Sequence, residues 1–266
     1  MAVALTMAGS DPSGGAGIQA DLKTFHQFRV YGEAVITLLT VQNTESVSRV
    51  ETVPGDFVLE QLDAVLADIP PDAAKTGALG SADIVRKIAA RARRFSFPLV
   101  VDPVMISKHG AALMSRDASE FVKRELIPCA TVLTPNIPEA EFLTGTNIRA
   151  PEDMKSAAEQ LFQLGCKCVL IKGGHSAGEP IDILRDSHGF VEFPGQRIKG
   201  LHTHGTGCAY SAAITAGLAL GHNIRQAISV AKAYVQSAIE SAPRLGRGHG
   251  PINHFAPVRL PEHVHS

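Results

Sequence analysis

A chain of 266 residues, 45% hydrophobic and 19% charged, can form one large or two small globular domains with a sizeable core. Its formal net charge of −1 gives no electrostatic reason to expect nucleic acid or an acidic membrane as a partner. The N-terminus lacks the basic segment of a signal peptide, the apolar run near 209–220 is too short to span a bilayer, and four cysteines do not make a disulfide framework. We therefore predict a reduced, cytoplasmic protein.

Apolar strands alternate with helices in the first third of the chain. A buried strand, a helix, a second strand, a helix and a short strand are predicted, in that order, at 3–8, 17–28, 33–42, 56–69 and 73–77. Ser81 then stands where its hydroxyl can cap a helix over 82–94.

The same alternation continues to the end of the chain. Three strands, two helices between or beside them, an antiparallel hairpin with a His-Gly turn and two final helices are predicted at 98–105, 131–136, 168–174, 115–127, 151–164, 182–195, 206–220 and 224–240. Strands that alternate with helices predict a mostly parallel sheet with helices on both faces. No repeat or linker interrupts the pattern, so we predict a single domain over 1–266 with a polar tail from about 256.

Ligands of parallel α/β sheets bind beyond the carboxyl ends of the strands. Polar side chains follow the predicted strands at Ser10, Asp11, Gln42, Asn43, Lys75, Asp102, Asn136 and Lys172. We expect these side chains to meet at one edge of the sheet and to form the functional site.

Residues 15–20 match the dinucleotide-binding pattern G-x-G-x-x-A between a strand and a helix. A dinucleotide fold also needs an acidic residue at the end of its second strand, and here that strand ends in Gln42 and Asn43. An amide both donates and accepts hydrogen bonds, which suits a heteroaromatic ring better than a ribose. The alternative is a glycine-rich turn that only joins the strand to the helix.

Gly205, Thr206 and Gly207 open a helix of small apolar residues. Successive backbone N–H groups at the positive end of a helix form an anion site, and glycine lets a phosphate approach the backbone closely. Packing of a helix against a sheet would explain the small residues from Ala209 onward, but not the residue types at the start. We predict an anion-binding turn, followed directly by Cys208.

Asn136 and Glu139 lie three residues apart just after a strand, so on one helical turn both side chains face the same way and suit a water-coordinated Mg²⁺. The alternative is a capping arrangement at the start of a helix. Asp102 ends one strand and precedes a loop with Lys108, and Lys172 ends another strand. Together these residues describe a site for a polyphosphate with a metal.

Two groups of histidines are candidates for a functional role. Those of the C-terminal region are irregularly spaced among polar residues, which indicates solvated surface rather than a metal site: His249, His254, His263 and His265. His202 and His204 flank the anion-binding turn, where contact with a ligand and simple packing both remain open.

Six segments carry a resemblance to a known family. The stretches AGSDPSGGAGIQADLKTF, VQNT, DPVM, TPNIPEAEFLTG, KGGH and THGTGC occur in this order, and the chain from about residue 4 to 255 resembles the hydroxymethylpyrimidine/phosphomethylpyrimidine kinases of thiamine biosynthesis. These enzymes belong to the ribokinase-like superfamily. The resemblance implies a ribokinase-like α/β domain, usually dimeric. It also implies transfer of phosphate from MgATP to hydroxymethylpyrimidine and then to its monophosphate.

The resemblance also implies roles for individual residues. Gln42 and Asp21 resemble the pair that recognises the pyrimidine, and the pocket wall corresponds to Gly9, Val104 and Ala78. The anion hole corresponds to Gly205, Thr206 and Gly207. The group that holds ATP and Mg²⁺, partly through water, corresponds to Asp102, Asn136, Glu139, Lys172 and, in a mobile flap, Lys108.

Cys208 occupies the position of the catalytic base, which is an aspartate in the sugar kinases of the superfamily. A helix N-terminus lowers a thiol pKa, so a thiolate near neutral pH is attainable here. A neutral thiol would also repel a phosphorylated acceptor less than a fixed carboxylate. Two departures from the family pattern are Ala78, where methionine is frequent and the wall is therefore smaller, and His202, where asparagine is common.

Three other functions are weighed against this kinase. Pyridoxal kinases of the same branch carry a second cysteine in the flap, and the segment MISKHG has none. A non-catalytic pyrimidine-binding regulator has no need of both the turn at 205–208 and the Asn136/Glu139 pair. A nicotinamide dehydrogenase would require binding of NAD.

Overall fold

The computed structural model describes residues 1–106, 110–111, 113–175, 179–198, 200 and 202–259. Within them, nine strands form one sheet: β1 (Val3–Ser10), β2 (Tyr31–Gln42), β3 (Val47–Thr52), β4 (Ala73–Thr76), β5 (Leu99–Val101), β6 (Val132–Leu133), β7 (Val169–Ile171), β8 (Ile181–Asp186) and β9 (Gly189–Pro194). The strand order is β3-β2-β1-β4-β5-β6-β7-β8-β9. Strands β2, β1, β4, β5, β6 and β7 run parallel, while β3, β8 and β9 pair antiparallel with their neighbours.

Helices cover both faces of this sheet. They are α1 (Gly17–Gln27), α2 (Gly55–Asp68), α3 (Ala82–Ala92), α4 (Arg116–Phe121), α5 (Ile137–Thr144), α6 (Pro151–Phe162), α7 (Thr206–Ala219) and α8 (Ile224–Glu240). A wider π turn, Val122–Leu126, and a 3₁₀ turn, Ile127–Cys129, continue α4. The prediction of a mostly parallel sheet between two helical layers is confirmed.

Two hydrophobic cores lie on opposite faces because side chains alternate along each strand. Leu5 and Val101 face α2, α3, α5 and α6, whereas Ala4 and Val100 face α1, α7 and α8. The central strands are buried on both faces, which is why their sequences read as continuous apolar runs. Ser81 caps α3 as predicted, because its side chain accepts the Ile84 N–H.

The structure corrects two details of the sequence-based prediction. Strand β3 was not predicted, because it lies at the sheet edge and only Val47 and Val50 are partly buried. The hairpin turn consists of Ser187 and His188, so Gly189 already begins β9. Among the described helices, none combines the length and apolarity needed to cross a bilayer.

The C-terminal region packs onto the protein, which contradicts the interpretation of His254 as solvated surface. His254 is buried, and its carbonyl oxygen accepts the Tyr234 hydroxyl at 3.3 Å. The Asn253 N–H donates to Ala238 O, at 2.9 Å. The single-domain organisation over 1–266 stays a prediction, since 260–266 lie outside the described residues.

Candidate active site

One cavity of about 740 Å³ opens beyond the carboxyl ends of the parallel strands. The predicted site residues that line it are Gly9, Gln42, Ala78, Asp102, Val104, Asn136, Glu139, Lys172, Gly205, Thr206, Gly207 and Cys208. Asp21 does not line the cavity, and Lys108 lies outside the described residues. The polar strand ends therefore meet at one edge of the sheet, as the strand order requires.

The N-terminus of α7 forms one wall of the cavity. Gly205 precedes the helix with a φ of 79°, and a Cβ there would overlap the carbonyl oxygen of Gly15. A side chain is excluded by both conditions, so this position requires glycine. The Thr206 N–H makes only a long 3.3 Å bond to Thr203 O, and the first N–H groups of a helix lack acceptors within it. The turn therefore offers positive partial charge to the cavity.

The glycine-rich segment at 15–20 packs against that turn. Gly17 begins α1 with a φ of 56°, and a Cβ there would overlap the carbonyl oxygen of Gly9. Together with the contact of Gly15 at Gly205, this shows that the glycines let two backbone segments approach each other. The structure therefore matches the alternative of a packing turn rather than a dinucleotide fingerprint.

A buried ion pair lies next to the α7 turn. Lys172 Nζ is 2.9 Å from Asp102 Oδ1, and Ser211 Oγ donates to Asp102 Oδ2 at 3.0 Å. A Cβ on Gly207 would lie 3.6 Å from Lys172 Nζ, so the ammonium sits beside the first turn of α7. Burial alone would lower the pKa of Lys172, but the carboxylates of Asp102 and Glu139 outweigh it and raise that pKa. Lys172 is therefore a charged group at the cavity.

Asn136 and Glu139 form a capping box at the start of α5, the alternative left open by the sequence. Asn136 Oδ1 accepts the Glu139 N–H at 2.9 Å, and Glu139 Oε2 accepts the Asn136 N–H at 2.8 Å. Burial raises the pKa of Glu139 to about 7, while Lys172 lowers it and Asp102 raises it. The cap keeps the Glu139 carboxyl group at the cavity wall.

The acidic groups suit a weakly held divalent cation. Among the described residues, no cluster of three or more His, Cys, Asp or Glu could by itself hold a metal ion. Mg²⁺ keeps several waters and binds through one or two carboxylates together with phosphate oxygens. Asp102 and Glu139 supply the two carboxylates at the cavity, which is the donor set that such a shared site needs.

Cys208 lines the cavity near two ion pairs, Lys75–Asp21 and Lys172–Asp102. Burial raises the pKa of the Cys208 thiol to about 11, although Lys75 lowers it. In the protein without substrates the neutral thiol is therefore favoured over the thiolate that the helix N-terminus made attainable. Desolvation raises the pKa of the thiol by more than the helix N-terminus lowers it.

Asp21 lies deeper than the pyrimidine contact that the resemblance implies for it. Its carboxylate is fully buried beneath the cavity, where it accepts Lys75 Nζ at 2.8 Å and Thr6 Oγ1 at 2.6 Å. Because the carboxylate is fully buried and does not line the cavity, it is not placed to contact a bound pyrimidine directly. Lys75 lines the cavity instead, and Asp21 holds its ammonium group in place.

Gln42, His204 and Asp11 form a polar cluster at the other side of the α7 turn. His204 Nε2 lies 2.8 Å from Asp11 Oδ2 and 3.2 Å from the amide nitrogen of Gln42. His204 and Asp11 are buried, whereas His202 packs against Gly250 and does not line the cavity. His204 therefore lies where it can affect a ligand, whereas the surroundings of His202 match simple packing.

A family model described as phosphomethylpyrimidine kinase matches residues 11–253. The chain belongs to the phosphomethylpyrimidine kinase family. It is 52% identical over 253 residues to the thiamine biosynthesis bifunctional protein ThiED of Geobacter sulfurreducens, which covers 94% of this chain but only 52% of that relative. It is 46% identical over 256 residues to the hydroxymethylpyrimidine/phosphomethylpyrimidine kinase of Bacillus subtilis, which covers 95% of this chain and 94% of the relative.

Solved structures place this member of the phosphomethylpyrimidine kinase family in the ribokinase-like fold. The crystal structure of phosphomethylpyrimidine kinase from Clostridium difficile matches with a TM-score of 0.81 and 45% identity, over 90% of this chain and all of that chain. Pyridoxal kinase from Staphylococcus aureus, in complex with AMP-PCP and pyridoxal, matches with a TM-score of 0.89 and 36% identity, over 96% and 94% of the two chains. The resemblance and fold predicted from the sequence are confirmed.

The sequence analysis gave no role to Asp182, which lines the cavity of this family member. Asp182, in the hairpin strand β8, accepts Tyr210 Oη at 2.9 Å and Lys232 Nζ at 2.7 Å. Lys75, by contrast, was expected at the site because it is a polar residue at the end of a short strand. Asp182 had no such signal, because its partners come from two helices far along the chain.

Proposed function

We propose that this chain transfers the γ-phosphate of ATP to the hydroxymethyl group of hydroxymethylpyrimidine, and then a second phosphate to the monophosphate. The observation that carries the proposal is one cavity with two chemically different parts. The Gln42 amide and the Cys208 thiol lie in it together with the α7 N-terminus, Lys172 and the carboxylates. A polar ring and a polyphosphate can therefore be held next to each other.

We assign Gln42 to the pyrimidine ring, since an amide can match the donors and acceptors of a heteroaromatic edge. Gly9, Ala78 and Val104 form the apolar wall beside it. Leu38 leaves no room for a side chain at Gly9, because a Cβ there would lie 2.5 Å from Leu38 Cδ1. The ring is thereby confined between the sheet edge and the α7 turn.

The phosphate groups are assigned to the opposite side. Gly205, Thr206 and Gly207 would stabilise the transferred phosphoryl group through backbone N–H groups, and Lys172 would neutralise its charge. Asp102 and Glu139, with Asn136 fixing Glu139, would hold Mg²⁺, which supplies charge neutralisation to the phosphates when bound. Solved pyridoxal kinases of this fold bind ADP or AMP-PCP, which supports ATP as the phosphate donor.

Cys208 is assigned as a neutral polar residue next to the acceptor oxygen. Phosphoryl transfer depends mainly on positioning and charge neutralisation, so a strong base contributes less than the anion hole. The acceptor of the second transfer is an ionised phosphate, which has no proton that must be removed. A thiol whose pKa lies at about 11 adds no negative charge to either acceptor.

The experiment is a time course with ATP, Mg²⁺ and hydroxymethylpyrimidine, followed by mass spectrometry. We expect the monophosphate to appear first and the diphosphate to follow at its expense. A single product that never advances to the diphosphate would limit the function to the first transfer.

Pyridoxal kinase activity is the second candidate, because the pyridoxal kinase of Staphylococcus aureus matches nearly the whole chain. The small Ala78 in the pocket wall leaves space for a larger substituent. Replacement of Ala78 by Met, the residue frequent in this family, is the corresponding test. If Ala78 admits pyridoxal, Ala78→Met lowers turnover of pyridoxal and spares hydroxymethylpyrimidine.

A non-catalytic pyrimidine-binding regulator would need neither the anion-binding turn nor Lys172 and its carboxylates.

We also propose a cytoplasmic homodimer, which rests on the family resemblance. Analytical ultracentrifugation at micromolar concentration tests the dimer, since a monomer would have half the expected mass.

A further inference from the structure

His204 joins the anion-binding turn to the pyrimidine side of the cavity. It directly precedes Gly205 and is 3% exposed. Its backbone is held by the C-terminal region, because His204 N donates to Gly250 O at 3.1 Å. Its ring fills the space in front of Gly15, where any Cβ would overlap it. The ring is therefore fixed in both position and orientation.

The hydrogen bonds of Asp11 decide which atom of that ring carries a proton. Asp11 Oδ1 accepts Ser13 N at 2.8 Å, and Oδ2 accepts Ala16 N at 2.9 Å. Burial would raise the pKa of Asp11, but the hydrogen bonds from His204 and Ser13 outweigh it and lower the pKa. An ionised carboxylate only accepts hydrogen bonds, so His204 Nε2 must be the donor across 2.8 Å.

The orientation of the Gln42 amide follows from this proton. Its nitrogen lies 3.2 Å from His204 Nε2 and its oxygen lies 3.2 Å from Thr40 Oγ1, so two N–H groups would face each other. Thr40 Oγ1 already donates to Ser10 O at 3.0 Å and can only accept from the amide. Turning the amide over removes this conflict. Its nitrogen then donates to Thr40, and its oxygen shares the single Nε2–H of His204 with Asp11 Oδ2 in a three-centre hydrogen bond.

We propose that His204, held as an Nε2–H donor by Asp11, is a specificity-determining positioning residue that turns the Gln42 amide so that its remaining N–H points into the cavity. The pocket then offers a donor and selects a ring with an acceptor nitrogen at that place. This inference rests on the proposed function, in which Gln42 faces the pyrimidine.

Gln42→Glu separates the two possible orientations. A carboxylate accepts the His204 Nε2–H but cannot donate to the substrate. We expect the KM for hydroxymethylpyrimidine to rise about tenfold, the loss of one hydrogen bond, with the KM for ATP changed less than twofold and an unchanged Tm. An unchanged KM together with a lowered Tm would overturn the proposal, because the amide would then have donated to His204.

A double-mutant cycle tests whether His204 acts through Gln42. His204→Leu removes the donor, and His204→Gln is the matched control because its amide nitrogen can replace Nε2. We expect His204→Leu to raise the KM for hydroxymethylpyrimidine about tenfold, His204→Gln to restore most of it, and neither to have a further effect in a Gln42→Ala background. Equal effects in both backgrounds would mean that His204 supports the fold only.

The tautomer of His204 can be read without any substrate. We expect ¹⁵N NMR of the histidine rings to show a protonated Nε2 for His204 in the wild-type protein, lost in Asp11→Asn. An unprotonated Nε2 in the wild type would overturn the proposal. This readout stands even if the wild-type protein fails to phosphorylate hydroxymethylpyrimidine, which would contradict the proposed function alone.

Discussion

Cys208 shows how a single residue's surroundings decide its protonation state. The sequence places it at a helix N-terminus, where a thiolate is favoured. In the folded protein, burial and the nearby carboxylates of Asp21 and Asp102 outweigh Lys75, and the thiol keeps its proton. The residue is therefore suited to a site that must admit an acceptor already carrying phosphate.

A carboxylate in place of this thiol should separate the two transfers. We expect Cys208→Asp to lower kcat/KM for the monophosphate at least about tenfold more than kcat/KM for hydroxymethylpyrimidine, because two negative charges close together repel strongly at low dielectric. Cys208→Asn has the same shape without the charge and should affect both substrates alike. Steady-state kinetics on both substrates decide the matter. Equal losses in the aspartate variant would show that charge at this position is irrelevant.

Glu33 is a second buried acid whose effect on stability depends on pH. It is 9% exposed in β2, and its Oε2 has no hydrogen-bond partner among the described residues. Burial, with a contribution from Asp68, raises its pKa to about 7. The folded state therefore binds more protons than the unfolded state between about pH 4.5 and 7, so stability from this group is lost as pH rises through that window.

Glu33→Gln should remove this dependence. The variant's gain in free energy of unfolding over the wild type should be larger at pH 8 than at pH 5. We expect this gain to grow by roughly 1–3 kcal/mol between the two pH values, since about 1.4 kcal/mol corresponds to each unit of pKa shift. Urea denaturation of both proteins at both pH values measures this gain. Contributions from other titrating groups cancel because the variant and the wild type share them. A difference that does not change with pH would mean that Glu33 titrates as it does in the unfolded chain.

At the scale of elements, α7 and the segment that precedes it determine the geometry of the anion site. Gly205 and Gly221 flank this helix with similar φ values of 79° and 84°. A Cβ on Gly205 would overlap Gly15, whereas a Cβ on Gly221 meets nothing within 4 Å among the described residues. The pair separates the effect of backbone conformation from that of close packing.

Gly205→Ala and Gly221→Ala therefore form a matched test. Both variants are destabilised by about 1–2 kcal/mol, because alanine must adopt a left-handed conformation. Only Gly205→Ala must also push the two glycine-rich segments apart. We expect Gly221→Ala to lose that stability and keep its kcat, and Gly205→Ala to lose at least about a hundredfold in kcat/KM. Thermal unfolding and kinetics measure the two effects. Similar activities in the two variants would contradict the assignment of the turn to the phosphoryl group.

Most elements could be predicted because each follows a local pattern. The runs around Leu5 and Val100 are apolar because those strands are buried on both faces, and Ser81 is a cap that neighbouring residues define. Strand β3 and the packed segment around His254 escaped prediction because their stability comes from partners distant in the chain. Local propensity contains no record of those partners.

At the scale of the whole molecule, the strand order brings polar residues from across the chain into one cavity. The polar strand-end residues that the sequence placed together line the cavity, except for Asn43, since strand ends of a parallel sheet converge. The sequence did not predict that Asp21 would bond Lys75 rather than line the cavity, and it left the protonation state of the Cys208 thiol open. Both depend on burial depth, which a motif does not encode.

The central claim is that the protein uses this cavity to phosphorylate hydroxymethylpyrimidine and then its monophosphate. One assay tests it most directly. ATP-dependent ADP release would be measured side by side with hydroxymethylpyrimidine, its monophosphate and pyridoxal as acceptors. We expect turnover of both pyrimidines, with kcat/KM for pyridoxal at least about tenfold lower. Preference for pyridoxal, or no ADP release with any of the three, would contradict the claim.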